Sequence, residues 1–232
     1  MITLRRSAER GRANHGWLDS RFTFSFAEYF DPRHMGWRSL RVINDDKVAA
    51  GAGFPMHGHR DMEIVTWMLA GQLEHKDSMG NGAAVGPGEA QYMSAGRGVM
   101  HSEFNPSPTV DAHLLQIWML PRERGLTPRY GQKNFTVALE RQEPVLVLSP
   151  DGASGSIGVE ADVRLWVARA HEAREWSIPL AAGRGAWVHI AKGHATVNGK
   201  QLSVGDAAAI EAEAAITITA SAGSEVLTFD LA

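Results

Sequence analysis

The chain has 232 residues, 44% of them hydrophobic, and a formal net charge of −3. That length and apolar content suit one large domain or two of ordinary size with packed cores, and exclude a disordered chain. The small net charge gives no global attraction to nucleic acid or anionic membrane, and the absence of cysteine excludes disulfides, Cys-ligated zinc and thiolate catalysis.

The opening residues carry a cluster of arginines (Arg5, Arg6, Arg10, Arg12) broken by Glu9, which reads as a solvated face. They lack an apolar signal core, and no later run approaches the roughly 20 apolar residues of a membrane span. A cytoplasmic protein without nucleic-acid or membrane partners is expected. Glycine and proline then punctuate the chain at short intervals, leaving β-branched and aromatic stretches that predict strands over 23–29, 39–44, 63–69, 72–76, 90–93, 99–104 and 113–119. A polar segment twice broken by proline, 121–128, reads as a connector, with at most a helical turn near 123–125. Strands resume at 145–148, 164–169, 186–191, 195–197, 207–210, 215–219 and 225–230. Regular short strands with explicit turns predict an all-β protein of two barrels or sandwiches. The halves also echo one another: Gly71 in Leu69-Ala70-Gly71-Gln72 answers Gly193, and Gly88 in Gly86-Pro87-Gly88-Glu89 answers Gly205.

Chemistry concentrates in the first half. Residues two apart on a strand share a face, so His57 and His59 project together, as do His101 and Glu103. Glu63 would join them if its strand ran on unbroken from His59. Three imidazoles and a carboxylate suit a divalent first-row metal with positions left for a substrate. Parity alone admits either Glu63 or Glu103 as the carboxylate. His75 and His113 lie on strands of the same half and are expected as core or pocket-wall residues, while Arg97 sits in a surface turn.

Gly51-x5-His57-x-His59-x3-Glu63 resembles the first motif of the cupin superfamily, except that Gly71 lies one residue late. Taken with Met93-Ser-Ala-Gly-Arg-Gly-Val-Met-His101-Ser-Glu103 and Gln116-Ile-Trp118-x-x-Pro121, the chain is similar to the pirin family, and most to its bacterial quercetinase members. Asn14-His-Gly-Trp17 and Phe24-Ser-Phe26 strengthen the likeness. It implies two tandem cupin (RmlC-like jelly-roll) barrels: a metal-binding domain over 1–130 and a degenerate one over 131–232. It also implies that Glu103, not Glu63, completes the ligand set with His57, His59 and His101.

The activity that the resemblance implies is quercetin 2,3-dioxygenase chemistry, in which dioxygen opens the central ring of a flavonol and carbon monoxide leaves. Glu103 is then the catalytic base or a second kind of ligand, and iron(II) the expected metal, ahead of nickel, copper, manganese, cobalt or zinc. The rival reading is a pirin-like regulator that senses metal or redox state and passes it to a protein partner. A monomer is expected. Gapless alignment on the paired glycines puts Pro179 and Ala181 at the positions of His57 and His59, and Ile218 and Ala220 at those of His101 and Glu103. A metal-free second barrel follows from that register.

Overall fold

A computed structural model describes the whole chain, Met1–Ala232. It divides into two compact units, one of residues 11–136 and one of 1–10 with 137–232. Strand β1 (Ile2–Arg5) belongs to the second of these. The first unit holds β2 (Gly11–Asn14), β3 (Leu18–Phe22), β4 (Leu40–Val48), β5 (Gly53–His59), β6 (Glu63–Ala70) and β7 (Leu73–Asp77). It is completed by β8 (Gly82–Val85), β9 (Glu89–Ser94), β10 (Val99–Phe104), β11 (Ala112–Met119) and β12 (Arg129–Asn134). After a single helical turn, α1 (Thr136–Leu139), the second unit continues with β13 (Val145–Ser149), β14 (Ile157–Gly158), β15 (Val163–Ala170), β16 (Arg174–Pro179) and β17 (Gly185–Lys192). It ends with β18 (His194–Val197), β19 (Lys200–Ser203), β20 (Ala207–Glu211), β21 (Ala215–Ala220) and β22 (Ser224–Leu231).

Each unit combines a seven-stranded with a four-stranded sheet. In the first unit the orders are β12-β9-β6-β11-β4-β3-β2 and β5-β10-β7-β8; in the second, β1-β20-β17-β22-β15-β13-β14 and β16-β21-β18-β19. The central strands of the two units therefore follow one topology, with β5, β10, β7 and β8 answered by β16, β21, β18 and β19, while the edges differ: β13 and β14 are parallel where β2 and β3 are antiparallel. The paired glycines mark the same turns: Gly71 and Gly193 have φ of 68° and 71°, and Gly88 and Gly205 have 81° and 79°. At Gly71 a Cβ would stand 2.6 Å from the Asp111 carbonyl oxygen, and at Gly193 2.5 Å from Ser224 Oγ, so neither site admits a side chain.

The central strands β6 and β17 are buried on both faces, which is why their sequences (EIVTWMLA and GAWVHIAK) run apolar instead of alternating. β10 alternates instead, with Val99, His101 and Glu103 buried and Met100 and Phe104 exposed.

Three expectations need correction. Residues 23–29 form no strand: β3 stops at Phe22, and the chain bends through Ala27 at φ 49° inside a Phe26–Tyr29 bridge. The segment 121–128 is a loop of the first unit, not a connector, because Gly125 N–H donates to Asp61 Oδ1, Arg97 N–H donates to the Leu126 carbonyl, and β12 then pairs with β9. The expectation of at most a helical turn near 123–125 is met with none, and the helical turn of this region is α1. The observed units also differ from the 1–130 and 131–232 division, since β1 pairs with β20 and β12 stays with the first unit.

Candidate metal centre

β5 and β10 lie side by side and antiparallel, with His57 directly across from His101 and His59 across from Val99. The two rows of inward side chains therefore meet. The ring centroids of His57, His59 and His101 are 4.4–4.9 Å apart, and one nitrogen from each lies within 4.8 Å of the others. Glu103 follows His101 on the same face, past a register shift in the β10–β5 ladder. Its carboxylate comes within 4.8 Å of ring nitrogens of His101 and His75. All four expected ligands line one cavity of about 510 Å³.

The protonation pattern fits a metal. His57 Nδ1 lies 2.7 Å from the Pro55 carbonyl oxygen and must donate to it, which leaves Nε2 with its lone pair. His101 Nε2 is buried with no hydrogen-bond partner, an arrangement that is costly unless something else satisfies the nitrogen. Burial, with the neighbouring His57 ring adding to it, pulls His59 down to about 4. Burial first, then the other rings, pulls His101 down to about 3. Both imidazoles are thus neutral donors at neutral pH. Burial pushes the Glu103 carboxyl up, against the lowering influence of His75 and of hydrogen bonds from Gln116 and Thr66. Gln116 Nε2 donates to both Glu103 oxygens at 3.2 Å, and the Thr66 hydroxyl donates to Oε1 at 3.2 Å. Three imidazoles and one anchored carboxylate suit a divalent transition metal.

Glu63 is not part of this group. β5 ends at His59, and the turn through Asp61, at φ 51°, breaks the parity that a continuous strand would have carried forward. Ile64 lines the cavity and Thr66 reaches Glu103, so Glu63 falls on the opposite face of β6. There it is fully buried and accepts hydrogen bonds from Tyr92 and from Ser94 Oγ at 2.7 Å. Arg97 is exposed and away from the cavity. His113 is half-buried and pairs with Asp45 at 2.7 Å.

His75 is closer to the chemistry than expected: its Nδ1 lies 3.4 Å from His101 Nδ1. The signal was present in the sequence, because His75-x-Asp77 repeats the i, i+2 spacing of the two ligand pairs. Aromatic rings form much of the remaining wall. Trp118 stands edge-on to His59 at 4.9 Å and to Phe26 at 5.4 Å, and Phe54 packs edge-on to Trp17 at 5.2 Å. Trp17, Phe22, Phe26 and Trp118 line the cavity, whereas Phe24 and Trp67 are core residues outside it.

In the second unit the gapless register needs adjustment. Glu103 pairs with His75 across β10–β7, and Ile218 pairs with Val197 across β21–β18. Ile218 therefore answers Glu103, and Ile216 answers His101. Ile178 lies across from Ile216, as His57 does from His101, and Leu180 follows where His59 stands. The expected Pro179 and Ala181 are exposed, one residue out of register, because the turns at the paired glycines do not fix the lengths of the loops beyond them. Ile178, Leu180, Ile216 and Ile218 all belong to one buried apolar cluster with Trp176, Val188 and Val197.

Two family models match the chain, one in each half. Residues 3–119 match the family model described as Pirin, and residues 146–231 match the one described as Quercetinase C-terminal cupin domain. The chain is 52% identical over 231 residues to a quercetin 2,3-dioxygenase of Escherichia coli (strain K12), covering 100% of this chain and 99% of that one. It is 38% identical over 224 residues to a pirin-like protein of Caulobacter vibrioides, covering 96% of each. The crystal structure of a bacterial pirin, YhhW, from Escherichia coli in complex with nickel(II) superposes with a TM-score of 0.94 at 52% identity, covering 100% of this chain and 99% of that chain.

Proposed function

The chain belongs to the pirin family, and from that premise we propose that its first unit is a metal-dependent dioxygenase centre acting on flavonols such as quercetin. One observation carries the reading: His57, His59, His101 and Glu103 converge on the wall of a cavity that Trp17, Phe22, Phe26, Phe54 and Trp118 also line. The names of the relatives supply the substrate class, and the cavity supports it. At about 510 Å³ it is of the size that holds a small aromatic molecule, with an apolar body and few convergent polar groups.

His57, His59, His101 and Glu103 would hold the metal, with iron(II) the first choice and nickel the first rival. When bound, the metal supplies a Lewis acid that favours the deprotonated form of a phenolic hydroxyl and brings dioxygen to the same place. The remaining work falls to the chain itself. Trp118, Phe26, Trp17 and Phe54 exclude water and hold a flat ring system against the three imidazoles. Glu103 is placed to take the proton of the flavonol 3-hydroxyl, and its raised proton affinity makes it a better base than an exposed glutamate. Gln116 and Thr66 keep that carboxylate aimed at the cavity. On the far wall Ser20, Asn44 and Asp46 offer polar contacts for the peripheral hydroxyls.

The second unit is proposed to bind no metal, its four equivalent positions being Ile178, Leu180, Ile216 and Ile218. The deciding experiment is metal analysis of the purified protein, followed by quercetin turnover in air and under argon. The expected result is oxygen-dependent, saturable loss of quercetin with release of carbon monoxide. A metal-loaded protein that leaves quercetin unchanged in air overturns the flavonol assignment and leaves the metal centre standing.

A further inference from the structure

Behind the three imidazoles, on the side away from the cavity, lies a second layer of buried polar groups from β7 and β9. His75, Asp77 and Gln91 are none of them expected ligands. His75 and Gln91 are buried, and the Asp77 side chain is fully covered. Asp77 has no spare capacity to donate: Oδ1 accepts the backbone N–H groups of Met79 (2.9 Å) and Asn81 (3.0 Å), and Oδ2 accepts the Asn81 side-chain amide (2.9 Å). His75 Nε2 lies 3.1 Å from Oδ2, so Nε2 carries a proton and donates it to the carboxylate.

A neutral imidazole with its proton on Nε2 has a lone pair on Nδ1. Two groups face that lone pair: the Gln91 amide nitrogen at 2.9 Å and His101 Nδ1 at 3.4 Å. For His101 Nδ1 to be a partner of an acceptor it must carry the proton. His101 Nε2 is then the free lone pair, and this is the buried nitrogen that has no partner in the protein. Tyr130 stacks on the His75 ring at 5.0 Å and 25°, which fixes the plane in which Nδ1 points. The Asp77 carboxylate thus sets the tautomer of His75, and the Nδ1 lone pair it leaves is shared between the closer Gln91 amide and His101.

We infer that His75, locked by Asp77, is a positioning residue that holds His101 in its Nδ1–H tautomer and so presents His101 Nε2 to the metal. The inference rests on the metal-centre reading but not on the flavonol reading. Metal-bound histidines commonly donate their second ring N–H to a carboxylate or carbonyl. Here a second imidazole stands between the ring and the carboxylate.

The test begins with the metal-free wild-type protein, whose imidazole ¹⁵N shifts report each tautomer directly. His101 is expected with a protonated Nδ1 and an unprotonated Nε2, and His75 with the reverse. A His101 protonated on Nε2, or a His75 protonated on both nitrogens, overturns the inference without any variant being needed. Nickel(II) titration of His75→Leu and His75→Gln follows. Leucine removes the acceptor, and affinity should fall on the order of 10- to 100-fold as Nε2–H forms of His101 appear. Glutamine restores an acceptor oxygen and should recover most of that loss. A folded His75→Leu protein that binds nickel(II) as wild type, with His101 unchanged, also overturns it. Failure of quercetin turnover would leave these readouts untouched, so the two proposals fail separately.

Discussion

The two units share strand order and glycine turns, yet four positions at matched places in their ladders hold His57, His59, His101 and Glu103 in one and Ile178, Leu180, Ile216 and Ile218 in the other. The polar layer beneath differs in the same sense: Thr66 and Gln91 are answered by Val188 and Ala208, which pair at the equivalent rungs of β17 and β20. A single apolar cluster fills the second unit at the place where the first keeps an open cavity. The barrel therefore does not require a metal to close. It requires that its interior be filled or satisfied, and branched aliphatic side chains do this as well as a ligand set does. The scaffold is one thing, and the chemistry set into it another.

The sharpest way to break the comparison is His101→Ala, which should abolish metal binding and turnover together while the second unit keeps its fold, as read by metal analysis and circular dichroism. Next comes Glu103→Gln. If the carboxylate is the base, kcat should fall by roughly 10²- to 10⁴-fold, the range that general-base catalysis contributes. The counterpart substitution, Ile218→Ala, should leave metal content unchanged and cost about 2–5 kcal/mol of stability by opening a cavity, measured by urea unfolding. Glu63→Gln separates the two buried glutamates: metal should be retained, with a loss on the order of 1–3 kcal/mol from disturbing the Tyr92 and Ser94 hydrogen bonds. The smallest effect is one of pH. His59 and His101 lie at about 4 and about 3, below the ordinary value of 6.5, so the unfolded chain binds more protons across that interval. Stability from this source is complete above pH 6.5 and is lost as the pH falls toward 4 and 3. The metal-free protein should therefore lose stability as the pH falls from about 6.5 toward 4 and 3, and His101→Gln should show a shallower decline.

The ligand set was legible because its residues are rare, polar and spaced by two on strands that one barrel brings together. The strands most readable in the sequence were the buried ones, such as β6, β11 and β17, whose apolar runs have no other explanation. β5 (GFPMHGH) was recognisable only through its two histidines, because it is an edge strand whose inner face carries the site in place of apolar residues, and the short edge strand β16 (REWSIP) was missed although Trp176 and Ile178 alternate into the core. Parity left Glu63 and Glu103 open and the resemblance alone favoured Glu103; the turn at Asp61, which takes Glu63 off the shared face, is invisible to parity because parity is a property of an unbroken strand. The register of the second unit was misjudged for a related reason: glycine turns fix where a strand begins, not how many residues the next loop spends. His75 was seen but undervalued, because a histidine whose partner is another histidine is recognisable only once β7 and β10 are known to be neighbours.

The pairing of β1 with β20, Ile2 against Ile210, has a consequence for how the chain is made. The first strand leaves the ribosome before either unit exists, and its place in the second sheet appears only about 200 residues later. At ordinary rates of synthesis that is a wait of roughly 10–40 seconds. The first unit, contained in residues 11–136, can close within that time. β1 is thus synthesised before either unit and is among the last parts to be built in.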